Sequence, residues 1–443
     1  MVEANAKKAR GRPSSWLNRM HRNRSSSKRS RSPSTLPERT GVLRQADQLP
    51  ELNEESLDIF TADTEYSPPQ MPSFLLSSET ELHQKFTELQ RLEEERLQEK
   101  SKGSNLDTQW ARLDVDRVLD RYSNVQPWYH NRIQLQVPEG YNDYINASPI
   151  RLEPTASRQG DNDAKSRVQD RYICMQGPKQ ETIDHVWHMI WHSASHSSSS
   201  SPAVIIMLTP THVPHPIDPS SVMEKCFPYY PLDASSPPLI INEHSQLGEG
   251  FKASIRFVEK EEVAEGADLE VRKLAMKVDG EETEKTIWHL LYPMWPDFGA
   301  LEEKNLDSLL ALMALSREKN TDAENPRVVH CSAGVGRSGT FVALEFLIGE
   351  LESGAWKSLA VEQEDFDPVF NAVNQLRMQR RTMVQAYEQF AFLYLVLKKM
   401  WEKKFNVSDT STMTNSQVDL DGGMLEERAA KLVKLDVDCQ ESE

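Results

Sequence analysis

The feature that most constrains this chain is a glycine-containing loop between a strand-like apolar run and a helical run. Residues 327–329 are β-rich and apolar, as in a buried strand, and residues 340–351 have helical spacing. Five residues separate Cys331 from Arg337 within the loop. A strand-loop-helix unit of this kind gathers backbone N–H groups at a helix N-terminus, where they stabilise an anion. The sequence therefore predicts an α/β domain that holds an anion beside a cysteine.

The residue types inside this loop indicate phosphate chemistry. Gly334 and Gly336 leave the backbone free to turn inward, and the planar guanidinium of Arg337 suits two-point binding of a phosphate. A nearby arginine and helix N-terminus can lower a cysteine pKa from about 8.5 into the range of about 3.5–7.5. Cys331 would then be a thiolate nucleophile, and the Ser338 hydroxyl could ease its departure in a second step. Packing alone would explain a lone cysteine in such a turn, but not this combination.

A covalent mechanism also needs a general acid for the leaving oxygen. Residues 295–299 read Trp-Pro-Asp-Phe-Gly, so proline and glycine mark a loop that two aromatic side chains could seat as it moves. Asp297 would donate a proton to the leaving group and then act as a base toward water. A Trp-Pro-Asp tripeptide also occurs in ordinary turns, and its significance here comes from sharing a domain with the Cys331 loop.

Together these segments resemble the family of tyrosine-specific cysteine phosphatases, over roughly Leu113 to Leu397. The matching blocks are residues 121–122, 142–148, 172–178, 225–231, 295–299, 330–341 and 383–385. Residues 341–344 and 389–394 resemble fungal members more than animal ones. The resemblance implies an α/β protein-tyrosine-phosphatase fold, with a highly twisted mixed β-sheet flanked by helices on both sides. It also implies hydrolysis of phosphotyrosine in proteins.

The resemblance assigns roles to particular residues. The expected catalytic set is the nucleophile Cys331, the acid and base Asp297, the phosphate clamp Arg337, the water-positioning Gln385 and the assisting Ser338. Tyr122 would stack on the substrate ring and set a depth that phosphoserine cannot span. Lys225 would pair with Asp297 when the acid loop is open. The other residues expected to bind substrate are Asn124, Phe298, Gln389, Ser332, Ala333, Gly334, Val335 and Gly336.

Four departures from the family pattern affect substrate choice rather than catalysis. Asn124 stands where many animal members have an aspartate, which leaves the preference for flanking charges open. Asp120 replaces an asparagine before Arg121-Tyr122, and Ala300-Leu301 replaces a Val-Pro that would stiffen the acid loop. Thr382 stands where some members have glycine, and its bulk would narrow the approach beside the pocket.

Composition along the chain predicts three regions. Residues 1–77 are basic and rich in serine and proline, and we expect a disordered leader there. Residues 78–405 would form the catalytic domain, with a lead-in helix within 78–112 and a second helical stretch over 113–122. Residues 406–443 would form an acidic tail, with a short amphipathic helix from Met424 to Leu435. Two polar stretches, 153–166 and 193–201, have the composition of surface insertions.

Charge and cysteine content narrow the functional class. Residues 1–44 carry twelve lysines and arginines against two acidic residues, whereas the whole chain has a net charge of −17. Such a leader suits a solvated tail, nuclear import, contact with anionic surfaces or phosphorylation. The four cysteines form no CxxC pair, which disfavours disulfides and zinc and favours a reducing compartment; Cys174 and Cys226 have the character of small packed residues. No apolar run is long enough to span a membrane, and no secretory signal is present.

These features imply no metal, no organic cofactor and no nucleic-acid partner. We expect a monomer in the cytoplasm, and also in the nucleus if the leader directs import, acting on phosphotyrosyl proteins. By analogy with fungal members these would include stress-activated MAP kinases. Two alternatives remain. A phosphotyrosine-binding pseudophosphatase would need a defect at a catalytic residue, and a dual-specificity or lipid phosphatase would need a shallower or more basic pocket than Tyr122 and the Cys331 loop predict.

Overall fold

The computed structural model describes residues 69–405 apart from 103–109, 112, 114, 155–169, 195–200, 216–217, 219, 264–267 and 358–365. Within these residues the helices are α1 (Glu79–Lys102), α2 (Ile183–Ser193), α3 (Leu306–Asn320), α4 (Gly336–Ser353), α5 (Pro368–Gln379) and α6 (Tyr387–Phe405). The strands are β1 (Ala147–Ile150), β2 (Tyr172–Met175), β3 (Ala203–Met207), β4 (His212–Pro214), β5 (Val222–Glu224), β6 (Leu239–Ile241), β7 (Ala253–Glu261), β8 (Glu270–Val278), β9 (Lys285–Leu291) and β10 (Arg327–His330).

A mixed sheet of eight strands forms the centre, in the order β1-β2-β10-β3-β9-β8-β7-β6. The strands β2, β10, β3 and β9 run parallel to their neighbours in this group, and the outer pairs on both sides are antiparallel. The strands β4 and β5 form a separate antiparallel pair. This architecture confirms the predicted α/β fold with a mixed sheet.

Helices cover both faces of the sheet because successive side chains of its strands point to opposite sides. In β2, Tyr172 and Cys174 belong to the core under α1 and α3–α6, whereas Ile173 and Met175 belong to the core under α2. The strand β10 is buried along its whole length between them. Its carboxyl end therefore delivers the Cys331 loop from the middle of the domain to the N-terminus of α4.

Helical structure is present earlier in the chain than predicted. A 3₁₀ helix, Ser73–Leu76, buries Phe74 and Leu75 in the core that also holds Trp356, whose ring packs edge-on against Phe74. The predicted leader is therefore wrong over these residues, because two apolar side chains find partners that only the tertiary fold provides. Residues 1–68 of the leader, the acidic tail and most of both polar insertions lie outside the described residues.

The predicted lead-in helix is confirmed as α1, which packs against α5 and α6. Phe86 lies against Phe390 of α6, and Lys85 forms a 2.8 Å hydrogen bond with Ser77 and a 2.7 Å ion pair with Asp367 at the start of α5. The apolar side of α1 thus packs against the rest of the domain, as its amphipathic spacing predicts. Within the described residues no helix combines the length and apolar character needed to cross a bilayer.

The predicted helix over 113–122 is wrong. Among its described residues only Arg117–Leu119 are helical, as a 3₁₀ turn capped by the Asp116 side chain. Asp120 then adopts an extended backbone and its buried carboxylate accepts hydrogen bonds from Gln126, Tyr144 and Asn146 at 2.6–2.8 Å. These tertiary bonds override the local helical pattern. Both carboxylate oxygens of Asp120 act as acceptors, whereas an asparagine at this position would offer only one acceptor oxygen.

Side-chain amides hold the chain where it leaves the edge strand β1. Gln379 accepts from the backbone N–H of Arg151 and donates to its carbonyl, at 2.8 and 2.7 Å. Gln375 does the same at Glu153, at 2.9 and 3.2 Å. Two glutamines one turn apart on α5 thus hydrogen-bond to the chain as a neighbouring strand would.

Candidate active site

The loop between β10 and α4 is shaped by close backbone contacts. Gly334 has φ +72°, and a side chain there would collide with the carbonyl oxygen of Met175. Gly177 N–H donates to the Ser332 carbonyl at 2.7 Å, which ties the loop to the end of β2. The Gly334 N–H is thereby turned toward the Cys331 sulfur, 3.2 Å away.

The Cys331 thiol is buried, yet its pKa lies below its ordinary value. Burial acts to raise the pKa, but the charge of Arg337 and hydrogen bonds from Ser338 and Gly334 outweigh it. Among the described residues no other group forms a hydrogen bond with the buried Ser338 hydroxyl. By contrast, burial raises the pKa of Cys174 to about 12, so that thiol stays protonated. The environment therefore favours the thiolate form of Cys331 and the protonated form of Cys174.

Arg380 supports the loop from behind and was missed in the sequence. Its Nε donates to the Gly334 carbonyl at 3.0 Å, and its Nη2 donates to the Ala333 carbonyl at 3.3 Å and to the Asn146 side-chain oxygen at 2.8 Å. The side chain is fully buried. By binding the Gly334 carbonyl, it supports the loop conformation in which the Gly334 N–H faces the Cys331 sulfur.

Asp297 lies between two cations in this structure. Its carboxylate forms an ion pair with Arg337, and its other oxygen lies 2.8 Å from the Lys225 ammonium. Burial acts to raise the pKa of Asp297, but these two cations hold it below its usual value. Asp297 is therefore ionised here. Its carboxylate is bound to the Arg337 guanidinium, where a phosphate would otherwise bind.

The loop that carries Asp297 is anchored by Trp295. Trp295 is buried and packs edge-on against Phe392 of α6, and its carbonyl accepts from Arg337 at 3.1 Å. Phe298 has φ +56°, so the loop turns sharply directly after Asp297. Leu301, which stands in place of the family's proline, is buried in the same core as Trp295.

Tyr122 forms one wall of the site, and its hydroxyl shares a 2.9 Å hydrogen bond with Ser332. Arg121 fixes this segment by donating to the carbonyls of Gly177 and Pro178 at 3.0 and 2.7 Å. Asn124 lies exposed at the rim. The wall and the rim are thus carried by an irregular segment held by hydrogen bonds.

The opposite side is formed by Gln385 and Gln389. Gln389 is buried and accepts from the backbone of Ala386 at 3.2 Å. Its amide, like that of Gln385, lies close to Gly336, where a side chain would contact both. Gln385 therefore faces the Cys331 loop directly.

One cleft joins most of the predicted site. Its lining residues are Tyr122, Asn124, Val125, Lys225, Asp297, Phe298, Cys331, Ser332, Ala333, Gly336, Arg337, Gln385 and Gln389. Three predicted residues, Gly334, Val335 and Ser338, are not among the residues that line it. Among the described residues no group of three or more His, Cys, Asp or Glu side chains is arranged to hold a metal ion.

Comparison with known proteins gives a consistent result. A model of the family described as protein-tyrosine phosphatase matches residues 117–399. Tyrosine-protein phosphatase 1 of Saccharomyces cerevisiae is 30% identical over 349 residues, which cover 74% of this chain and 96% of that protein. Tyrosine-protein phosphatase 2 of Schizosaccharomyces pombe is 31% identical over 319 residues, covering 70% of this chain but only 38% of that protein.

Solved structures agree on the fold. The catalytic domain of human protein tyrosine phosphatase non-receptor type 18 superposes with a TM-score of 0.53 at 24% identity, covering 74% of this chain and 99% of that domain. The family match spans more than half of the sequence and includes the Cys331 loop, the acid loop and Gln385. The chain therefore belongs to the protein-tyrosine phosphatase family and is an enzyme of the phosphoric monoester hydrolase class.

Proposed function

We propose that this protein hydrolyses phosphotyrosine in proteins through a phosphocysteine formed on Cys331. The observation that carries the proposal is that Cys331 and Arg337 line one cleft, that the Gly334 N–H donates to the Cys331 sulfur, and that the pKa of this thiol is lowered. A thiolate beside an anion site is suited to phosphoryl transfer.

In the first step the Cys331 thiolate attacks phosphorus as the bond to the tyrosyl oxygen breaks. Protonated Asp297 gives its proton to that oxygen, so tyrosine leaves neutral and the phosphoryl group stays on sulfur. Arg337 and the loop N–H groups stabilise the charge on the transferring group.

In the second step a water positioned by Gln385 attacks the phosphoryl group. The Asp297 carboxylate takes a proton from that water as the S–P bond breaks. The electron pair returns to sulfur, which Ser338 assists, and phosphate leaves with Cys331 again a thiolate.

This sequence of steps requires Asp297 to leave the ion pair seen in the resting protein. A substrate phosphate competes for Arg337 with two negative charges and two-point geometry. Once displaced, the Asp297 carboxyl loses a cation and gains an anionic neighbour, and both changes raise its pKa toward the protonated form that the first step needs.

The wall formed by Tyr122 supports specificity for tyrosine, because a long aromatic ester would reach Cys331 past it and a phosphoserine would fall short. The non-receptor type 18 phosphatase, which shares the fold, has been solved in complex with phosphotyrosine peptides.

We extend the proposal to phosphorylated signalling kinases, including MAP kinases, as substrates. We also propose a monomer whose catalytic unit spans residues 73–405, between a basic leader and an acidic tail. It would act in the cytoplasm, and also in the nucleus if the leader directs import.

The test is hydrolysis of matched phosphotyrosyl and phosphoseryl peptides and of phosphoinositides by the full chain. We expect turnover of the first alone, and none by Cys331→Ser, while Cys174→Ser serves as a control that keeps activity. Equal turnover of phosphoserine would indicate the dual-specificity class, and hydrolysis of phosphoinositides the lipid class. Binding of phosphotyrosine without turnover would indicate a pseudophosphatase, and full activity of Cys331→Ser would refute the mechanism.

For the kinase substrates, full-length Asp297→Ala protein would be used to capture phosphotyrosyl proteins from lysate, followed by mass spectrometry. We expect a phosphorylated MAP kinase among them, released by excess phosphate. A set of captured proteins without any kinase would contradict this part of the proposal.

A further inference from the structure

A buried carboxylate on α1 reaches the segment that precedes Gln385. Glu93 is only 6% exposed, and its Oε2 accepts from the backbone N–H of Thr382 at 3.0 Å. Its other oxygen lies 3.7 Å from Nε of Arg381. Glu93 lies before residues 117–399, which the family model matches, so the contact joins a preceding helix to the catalytic domain.

The segment that Glu93 holds has an unusual backbone. Thr382 and Val384 both have φ +56°, a left-handed conformation that β-branched residues rarely adopt. Such a conformation persists only where surrounding contacts impose it. Gln385 follows immediately, so its direction into the cleft depends on this turn.

The other contacts on this turn leave one end of it to Glu93. Arg377 donates to the carbonyls of Met383 and Val384 at 3.1 and 3.0 Å, and the Val384 N–H donates to Val335 at 3.2 Å. These bonds hold the last two residues of the turn. The bond from Thr382 to Glu93 holds its first residue.

We propose that Glu93 is a positioning residue that, through the Thr382 turn, aims Gln385 at the hydrolytic water. This inference rests on the proposed function, in which Gln385 acts in the second step. It gives α1 a role in the second catalytic step in addition to its packing against α5 and α6.

The two-step scheme gives this role a distinct kinetic signature. The ratio kcat/KM reports events up to the first irreversible step, which is phosphoryl transfer to Cys331 and loss of the phenol. Hydrolysis of the phosphocysteine enters kcat alone. A displaced Gln385 therefore lowers kcat and leaves kcat/KM unchanged. The phosphoenzyme then accumulates, and its formation is seen as an initial burst of released phenol.

The experiment compares Glu93→Ala with the wild-type full chain, using 4-nitrophenyl phosphate in steady-state and stopped-flow assays. A displacement of about 1 Å at a catalytic group can change a rate by about 100-fold, so we expect kcat to fall roughly 10- to 100-fold. The ratio kcat/KM should stay within about twofold, and a burst near one equivalent should appear. Glu93→Gln, which keeps an acceptor oxygen, should restore most of kcat.

Two further variants keep the test decisive. Glu94→Ala alters an exposed carboxylate on the same helix and should match the wild type. If Glu93→Ala does not fold, Glu93→Asp retains the charge near Arg381 but withdraws the oxygen from Thr382, and it should show the same loss of kcat.

Some outcomes would overturn the inference. Unchanged kcat in a folded Glu93→Ala or Glu93→Asp protein would do so, as would equal losses of kcat and kcat/KM, which would indicate a general structural role. A wild-type protein that does not hydrolyse 4-nitrophenyl phosphate would instead refute the proposed function, so the two failures are distinguishable.

Discussion

Removing the Asp297 carboxylate should tighten substrate binding while it abolishes efficient turnover. In the resting structure this carboxylate pairs with Arg337, the group that we propose binds the substrate phosphate. A phosphate must therefore displace Asp297 before it can occupy the guanidinium. The variant Asp297→Ala removes that competitor and leaves the Trp295 carbonyl, 3.1 Å from the guanidinium, in place.

The magnitude follows from the bond that no longer has to be broken. A hydrogen bond to a charged group contributes about 1.5–3 kcal/mol. The Asp297 side chain is 30% exposed, so solvent weakens the pair and the lower part of this range applies. Lys225 loses its partner 2.8 Å away and adds its attraction for the dianion. Since about 1.4 kcal/mol corresponds to tenfold, Kd should fall about tenfold.

The assay is titration calorimetry of a phosphotyrosyl peptide in a Cys331→Ser background, where no turnover disturbs the equilibrium. The comparison is between Cys331→Ser and Cys331→Ser with Asp297→Ala. Glu302→Ala in the same background is the matched control, because it removes an exposed negative charge that pairs with Lys304 instead. The control should bind as the parent does.

Equal or weaker binding by the Asp297→Ala protein would refute the reasoning. It would mean that Asp297 does not compete with the phosphate, or that its contacts with the bound substrate outweigh the competition. A similar gain in Glu302→Ala would attribute the effect to net charge alone.

Two other predictions concern the loop and the acid stability of the fold. Gly334→Ala should lower kcat/KM by about 100-fold or more in a 4-nitrophenyl phosphate assay, because the methyl group meets the Met175 carbonyl and displaces loop atoms near Cys331; wild-type turnover would contradict this. Burial, with His192 nearby, lowers the pKa of His188 to about 4, so the unfolded chain takes up its proton first and stability is lost as pH falls from about 6.5 toward 4. Between pH 7 and pH 5 the wild type should lose about 2 kcal/mol more than His188→Phe in urea unfolding, and parallel losses would refute this assignment.

The Cys331 loop and the sheet could be predicted from sequence because their signals are local. Cys331 and Arg337 lie within one strand-loop-helix unit, and the strand before them reads as an apolar run. The supporting groups have no such signal. Arg380 lies 46 residues from the carbonyl of Gly334 that it binds, and Glu93 lies 289 residues from Thr382. Nothing in the spacing of one polar residue marks a partner so distant.

The two errors of secondary structure have a related cause. Leu113 to Tyr122 has helical periodicity, but Asp120 gains three buried hydrogen bonds only if the chain runs extended there. Phe74 and Leu75 lie in a polar, proline-rich context that predicts disorder, and they become ordered by burial against the core. In both segments tertiary contacts outweigh the local preference.

The amides of Gln375 and Gln379 make the polar insertion after β1 a natural site for engineering. Gln379 fixes the chain at Arg151 and Gln375 fixes it at Glu153. At the other end Asp170 pairs with buried Arg327 at 2.9 Å, so both exits are held independently of what lies between. Closing a longer loop adds only about 0.6 kcal/mol for each doubling of its length. A tag or reporter domain inserted between residues 154 and 170 would therefore leave β1 and β2 in register, and the cleft unchanged.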